Sequence, residues 1–222
     1  MVKPTTIAKS AKITEALDKM LEFGIDPLIA VNNNSVVGTV SRKAIAEKQG
    51  SKQNSGLAPT TLATWKLVVV YDSDHKLIGQ VSRGDLLKKY QPDGGLDDAT
   101  EKAVTIEAEE RVVHLRRRML DDNITRFIVS EHEKYTGIVT ETDVAIAMRK
   151  FRESIGDNHQ DHQIRNLLVK DIMSAPLISV ERTAKVSDVV TMMLKKNISS
   201  VPVMDKGKLA GMVTRSSLVN AL

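Results

Sequence analysis

The sequence predicts an α/β (α+β) fold built from four copies of one strand-helix-strand-strand-helix unit. Three observations carry this. A short phrase recurs four times, each time closing an apolar run: Val37-Gly38-Thr39-Val40-Ser41, Ile78-Gly79-Gln80-Val81-Ser82, Thr136-Gly137-Ile138-Val139-Thr140 and Ala210-Gly211-Met212-Val213-Thr214. Internal repetition of this kind fixes the architecture before single residues are read. In three of the copies an amphipathic helical stripe precedes the hairpin. Turn-forming residues separate the paired apolar runs.

The elements follow in order. In the first repeat (residues 1–50), Ile13, Ala16, Leu17, Met20 and Leu21 mark one helix face. Leu28–Val31 and Val36–Val40 then pair across Asn32-Asn33-Asn34. In the second (51–91), Leu67–Tyr71, the turn Asp72–His75, Leu77–Val81 and a helix over Asp85–Lys89 are all present. Its first helix is eroded, because Ser51–Pro59 has no amphipathic period. Residues 92–101 read as a linker, since Gln91–Thr100 holds Pro92, Gly94, Gly95 and three aspartates.

The third repeat (102–150) begins with a strand over Val104–Ile106 and a helix face of Val112, Leu115, Met119 and Leu120. Phe127–Ser130 pairs with Thr136–Val139 across His132–Lys134, and Asp143–Met148 continues as helix. Residues 151–165 are a polar, helix-rich connector. In the fourth repeat (166–222), Asp171-Ile172-Met173 ends a helical turn and Leu177, Ile178 and Val180 form a short strand. Val186, Val189, Val190, Met193 and Leu194 line a helix face. Strands Ile198–Met204 and Leu209–Val213 flank the turn Asp205-Lys206-Gly207-Lys208, and Ser217–Leu222 closes the chain.

A unit of about 50 residues buries too little apolar surface to be stable alone. Two helices cover one face of its sheet and leave the other bare. Pairing units sheet against sheet, first with second and third with fourth, covers that face and gives two pseudo-twofold pairs.

Composition narrows the function classes. The 222 residues are 41% hydrophobic and 27% charged, as expected of a soluble chain. No apolar run approaches the roughly 20 residues that span a bilayer. Residues 1–10 contain no apolar block of signal-peptide type, so a cytoplasmic location is expected. There is no cysteine, which removes disulfides, thiolate metal sites and cysteine nucleophiles. The formal charge of +4 is mild, and its densest run, Arg116-Arg117-Arg118, lies on an amphipathic helix. That run reads as a solvated face, without the interleaved aromatics of a nucleic-acid platform.

The strand-to-helix junctions carry the candidate chemistry. Ser82-Arg83-Gly84-Asp85 and Thr140-Glu141-Thr142-Asp143 place a hydroxyl at the N-cap and a carboxylate three residues on. Helix N-termini offer unpaired N–H groups and a positive dipole end that suit phosphate, and a carboxylate can accept from a ribose diol. The same spacing is also a plain capping box.

The repeats resemble cystathionine β-synthase (CBS) domains of the prokaryotic, archaeal type, and their pairing resembles the Bateman module. The fourth repeat carries the most specific match, from Val169-Lys170-Asp171-Ile172-Met173 through Asn197-Ile198-Ser199-Ser200-Val201-Pro202-Val203 to Gly211-Met212-Val213-Thr214. The third matches well, the first fairly and the second in part. The resemblance implies adenosine-nucleotide binding between paired repeats, through a Gly-x-x-Thr/Ser-x-x-Asp motif whose hydroxyl meets phosphate and whose aspartate meets ribose. That motif is complete at Ser82/Asp85 and at Thr140/Asp143. Ala44 replaces the aspartate in the first repeat and Ser217 in the fourth.

The resemblance also implies an adenine-flanking surface. For the Asp143 junction it is formed by Val104, Thr105, Ile124, Thr125, Arg126 and Phe127. For the Asp85 junction it is formed by Trp65, Lys66 and Leu67, with Arg83 placed to reach a phosphate. Core packing is the alternative role of Trp65, and solvation that of the arginines. His159 and His162 with Asp157 and Asp161 have the look of a metal cluster, but in a polar connector they read as solvated residues. Phosphate loops, nucleophile elbows and paired catalytic carboxylates are absent from the sequence, so no catalysis, catalytic cofactor or metal is expected.

The resulting expectation is a regulatory sensor of AMP, ADP or ATP that signals to a protein target. Four repeats allow one chain to complete a disk, with a homodimer as the other arrangement. S-adenosylmethionine binding, a ligand-free structural interaction module, and nucleic-acid binding are the alternatives.

Overall fold

Hairpins with a shared irregularity organise the chain. The computed structural model describes residues 3–33, 35–42, 67–71, 77–154 and 166–222. Two compact units emerge. The first comprises Met1–Ser41, Gln53–Lys102 and Ser179–Leu222, and the second Arg42–Lys52 with Ala103–Ile178.

In the first unit, β1 (Thr6–Ala8), α1 (Ile13–Glu22), β2 (Leu28–Asn32) and β3 (Ser35–Val40) form the first repeat. Strand β1 runs parallel to β2, and β2 antiparallel to β3. Strands β4 (Leu67–Tyr71) and β5 (Leu77–Ser82) make the second hairpin, followed by α2 (Arg83–Lys89). The expected eroded helix of this repeat lies outside the described residues.

Residues 92–101 depart from the linker reading. Leu96–Ala99 is a 3-10 turn, and Thr100–Glu101 is a strand, β6. Leu96 and Ala99 are buried in the core of the fourth repeat, and that burial outweighs the turn-rich composition around them.

The second unit holds β7 (Thr105–Glu107), α3 (Val112–Asp121), β8 (Arg126–Glu131), β9 (Lys134–Thr140) and α4 (Glu141–Ser154). Val112, Leu115 and Met119 enter its core with Phe127, Val129, Val139 and Val144. Leu120, expected on that face, is 42% exposed instead, at the turn where α3 runs out of core to cover.

Back in the first unit, β10 (Val180–Glu181), α5 (Val186–Lys195), β11 (Ser200–Asp205), β12 (Lys208–Thr214) and α6 (Arg215–Asn220) complete the fourth repeat. The strand expected from Leu177 is confined to Val180–Glu181; Leu177 instead donates its N–H to the Thr136 carbonyl of the second unit's sheet at 3.0 Å. The β11–β12 turn has positive φ at Lys206 and Gly207, the mirror-type hairpin turn its composition favours.

All four hairpins share one break in register. It falls between Ala30 and Val31, Val70 and Tyr71, Val129 and Ser130, and Val203 and Met204. Opposite the first residue of each break stands the repeated glycine: Gly38, Gly79, Gly137 or Gly211. Two of these glycines have a second reason. A Cβ on Gly211 would come within 2.5 Å of Thr100 Cγ2 and 2.6 Å of the Glu101 carbonyl oxygen. One on Gly137 would lie 2.8 Å from both Met173 Sδ and the Ser174 carbonyl oxygen.

Those contacts reveal an exchange. The segment leading into the third repeat, β6, pairs with β12 of the fourth, in the first unit. The segment leading into the fourth, at Ser174, bridges to Ile138 on β9 of the third, in the second unit. Charged pairs fasten both with inverted polarity. Arg182 grips Asp97 bidentately at 2.8 and 2.9 Å, and Lys170 meets Glu109 at 2.6 Å. The first and second repeats also touch, where the Thr5 N–H donates to Gln80 Oε1 at 3.3 Å.

Candidate functional site

The two complete junctions are built alike. In the second unit, β9 delivers Thr140 to the start of α4. Asp143 Oδ2 accepts from the Thr140 N–H at 2.8 Å and from its hydroxyl at 2.6 Å. The Asp143 N–H faces Thr140 Oγ1 at 3.4 Å. The other carboxylate oxygen, Oδ1, accepts from the Ser174 hydroxyl at 3.1 Å. The Arg42 guanidinium donates to Thr142 Oγ1 at 3.2 Å.

In the first unit, β5 delivers Ser82 to the start of α2. Asp85 Oδ2 accepts from the Ser82 N–H at 2.9 Å and from its hydroxyl at 2.6 Å. Lys88 lies 3.8 Å from Oδ1. Burial pushes the Asp85 carboxyl upward, but the Ser82 hydrogen bonds and the Lys88 charge outweigh it and hold its pKa below the ordinary 3.8. The carboxylate is therefore ionised and acceptor-only at neutral pH.

The fourth junction keeps the cap and loses the charge. Ser217 Oγ accepts from the Thr214 N–H at 2.9 Å, and Thr214 Oγ1 accepts from the Ser217 N–H at 2.9 Å. Both side chains are buried, at 7% and 6% exposure, so this junction offers no acceptor to a ligand. Of the first junction, Ser41 and Arg42 are described, and Ala44 lies outside the described residues.

The expected adenine-flanking residues divide by burial. Thr105 is exposed, and Val104 packs on the core while its carbonyl accepts from the Ile128 N–H at 2.9 Å. Ile124 and Thr125 line a shallow pocket with Arg116, Met119, Leu120, Glu141 and Val144. The Thr125 carbonyl accepts from the Glu141 N–H at 3.0 Å, which ties this strand start to the junction. The Arg126 Nε donates to Thr125 Oγ1 at 3.4 Å. Phe127 is fully buried in the core, with the Arg118 guanidinium 4.8 Å from its ring centre, so its side chain serves packing. Trp65 and Lys66, and the side chain of Leu67, lie outside the described residues. So do His159, His162, Asp157 and Asp161.

Three residues at these junctions escape sequence reasoning: Ser174 on Asp143, Arg42 on Thr142, and Arg215. The Arg215 guanidinium donates to the Met193 carbonyl at 3.2 Å and to Asn197 Oδ1 at 3.3 Å. Burial holds both Arg215 and Arg83 below the usual arginine pKa, partly offset by Asp85 for the first and by Glu101 for the second. A signal was available in part, because arginine follows the repeated hydroxyl at Ser41, Ser82 and Thr214.

The chain was compared with known proteins. It is 32% identical over 123 residues to the uncharacterized protein MK0525 of Methanopyrus kandleri, covering 54% of this chain and 58% of that one. It is 26% identical over 180 residues to the uncharacterized protein MJ1404 of Methanocaldococcus jannaschii, covering 79% of this chain and 41% of that one. The chain thus spans little more than half of the first relative and less than half of the second. The crystal structure of MJ1225 from Methanocaldococcus jannaschii superposes with a TM-score of 0.77 at 20% identity, covering 98% of this chain and 95% of that one. The paired-repeat architecture is therefore that of the Bateman module. The CBS domain model matches residues 1–50, 96–150 and 169–222, more than half of the sequence, and the chain belongs to the CBS-domain family.

Proposed function

We propose that this chain is a regulatory sensor that binds an adenosine nucleotide, AMP, ADP or ATP, at the Thr140–Asp143 and Ser82–Asp85 junctions. One observation carries the reading. At both junctions a hydroxyl, a backbone N–H and a carboxylate lie within one turn, whereas the fourth junction keeps the cap but buries it without a charge. In the ligand-free arrangement the hydroxyl donates to the aspartate. On binding, it turns to donate to phosphate, and the aspartate accepts from the ribose diol instead. The bond given up and the bonds formed all have an ionised acceptor, so the exchange leaves neither the hydroxyl nor the carboxylate without a charge-assisted partner.

A ligand held this way shifts the packing of the repeats by its differential affinity for their arrangements. The readout is a protein target, and the module performs no catalysis. A thermal-shift and calorimetric panel of AMP, ADP, ATP, S-adenosylmethionine and adenosine tests the reading on the wild type, Asp85→Ala and Asp143→Ala. Nucleotide stabilisation of the wild type that each substitution weakens is the expected result. A folded wild type that responds to no adenosine compound refutes it.

A second reading has its own support, because both carboxylates already close a capping box. If the junctions only cap, each aspartate-to-alanine change costs about 1 kcal/mol of stability. No ligand then shifts melting.

A further inference from the structure

Strand β4 differs from its counterparts in what runs along its outer edge. In the other three repeats the first hairpin strand is a central one, because β1 runs parallel to β2, β7 to β8 and β10 to β11. Among the described residues β4 pairs only with β5. The equivalent strands show which groups this leaves. The Ile29 N–H donates to the Thr5 carbonyl at 3.4 Å, and the Ile128 N–H to the Val104 carbonyl at 2.9 Å. The Val31 and Ser130 carbonyls accept from the Lys9 and Ala108 N–H groups at 2.8 and 2.9 Å. Counted from the residue that faces the repeated glycine (Ala30, Val70 or Val129), the same groups in β4 are the Val69 N–H and the Tyr71 carbonyl.

Burial tells the same story. Ile29, Ala30, Ile128 and Val129 are buried, whereas Val69 and Val70, at the same positions, are only half-buried. Spacing explains why the chain does not cover them. The paired strands begin at Thr6, Thr105 and Val180, ahead of hairpins that begin at Leu28, Arg126 and Ser200. The same interval counted back from Leu67 ends at residues 45–47, directly after Ser41. At the corresponding positions the second and fourth repeats have their closing helices, α2 and α6. The sequence between Ser41 and Leu67 is too short for a closing helix, a first strand and a first helix together. An open strand edge is a template for another chain, and proteins usually blunt it with charge or proline. Strand β4, Leu67-Val68-Val69-Val70-Tyr71, has neither.

We propose that the β4 edge is the docking site for an extended segment of a partner protein, added as a parallel strand with a β-branched aliphatic residue at its centre. The chain's own strands supply the pattern: Ile7, Ile106 and Val180 sit at that centre, opposite Ala30, Val129 and Val203. A second copy fits less well, because identical edges joined by a twofold axis across the strands run antiparallel, unlike these three pairings. The proposal gives the protein target of the regulatory reading a place to bind. Leu67 stands opposite Ser82, so the docked strand would share a hairpin with the Ser82–Asp85 junction.

The probe is a labelled, end-capped peptide of residues 103–109, the segment that carries β7, added to the full chain. Fluorescence anisotropy is expected to show binding to the wild type. A peptide with Ile106→Pro, which cannot join a ladder, should not bind. In the chain, Val69→Pro removes the edge-facing N–H and is expected to weaken binding about tenfold, whereas Val69→Thr changes it less than about threefold. Pro202 occupies the position of Val69 in the fourth repeat, so the hairpin accepts proline there. By NMR hydrogen exchange, the Val69 amide of the free chain should exchange about a hundredfold faster than those of Ile29 and Ile128, and slow when the peptide binds. Exchange in the wild type and the control peptide still decide the matter should Val69→Pro fold poorly. Absence of binding, or binding that neither proline change weakens, overturns the proposal. A Val69 amide already protected in the free chain overturns it too, since the chain's own residues then fill the edge. A dimer in sedimentation that Val69→Pro dissociates gives the edge to a second copy and overturns the choice of partner. No nucleotide enters the test, so its result is independent of adenosine binding.

Discussion

Ser174 donates its hydroxyl to Asp143 Oδ1 at 3.1 Å, across 31 residues of chain, and so occupies the carboxylate oxygen that the capping box leaves over. On the proposed adenosine reading, a ribose diol arriving at Asp143 would compete with this bond. Ser174→Ala removes the competitor, and because the pair is exposed, stability changes little. The expected outcome is adenosine-ligand binding about two- to fivefold tighter, on the scale of a modest net hydrogen bond. Weaker binding would mean that Ser174 contacts the ligand itself.

Gly211 and Gly137 are expected to resist substitution for reasons of space. At Gly211 a Cβ meets Thr100 Cγ2 at 2.5 Å and a backbone carbonyl at 2.6 Å, and paired strands cannot move apart without losing the β6–β12 bridge. Gly211→Ala should cost about 1–3 kcal/mol, as overpacked sites do. At Gly137 the Met173 side chain can give way, but the Ser174 carbonyl cannot, so Gly137→Ala falls in the same range. Gly207 is the comparison. Its φ of +80° strains an alanine, yet nothing lies within 4 Å, so Gly207→Ala should cost about 1 kcal/mol. Urea unfolding of the three variants gives the order, and a Gly211→Ala protein as stable as Gly207→Ala would contradict the close approach.

The same contrast marks what was legible in the sequence. The hairpins, the stripes of α1, α3 and α5 and the two aspartate-bearing junctions depend on local periodicity, so they could be read residue by residue. Leu120 continues the α3 stripe but stands at the end of the helix, at the rim of the pocket beside Ile124 and Thr125, where it is 42% exposed. Leu96–Glu101 is obscured by its own aspartates and by Pro92, Gly94 and Gly95 just before it, because its burial depends on β12, a strand from the far end of the chain. Ser174, Arg42 and Arg215 reach their junctions only through contacts between repeats, and no local pattern encodes which repeat meets which.

The Asp85 cap should make stability depend on acid. Its folded pKa is depressed below 3.8, so the ionised form is favoured by folding. A depressed carboxylate contributes stability that is present above its unfolded value and is lost as pH falls through the folded one. The melting-temperature gap between the wild type and Asp85→Asn is expected to be level above about pH 5 and to narrow below pH 4. Circular-dichroism melts from pH 7 to pH 2.5 measure it. A gap that widens on acidification would contradict the sign.

Leu87 ties the second junction to the fourth repeat. It is 1% exposed and shares a core with Val186, Val190, Val213 and Leu218. Helix α2 has seven residues, too few to be stable by itself in water, so this anchor holds the start of the helix where Ser82 and Asp85 meet. Leu87→Ala should therefore cost about 2–5 kcal/mol and loosen the cap as well as the core. Tyr90, 53% exposed at the end of the same helix, serves as control, and Tyr90→Ala should be nearly neutral. Amide hydrogen exchange should rise across Arg83–Lys89 and Arg215–Asn220 in Leu87→Ala, while Glu141–Ser154 in the other unit stays protected. Faster exchange confined to Arg83–Lys89 would show that the helix is not an integral part of the fourth repeat's core.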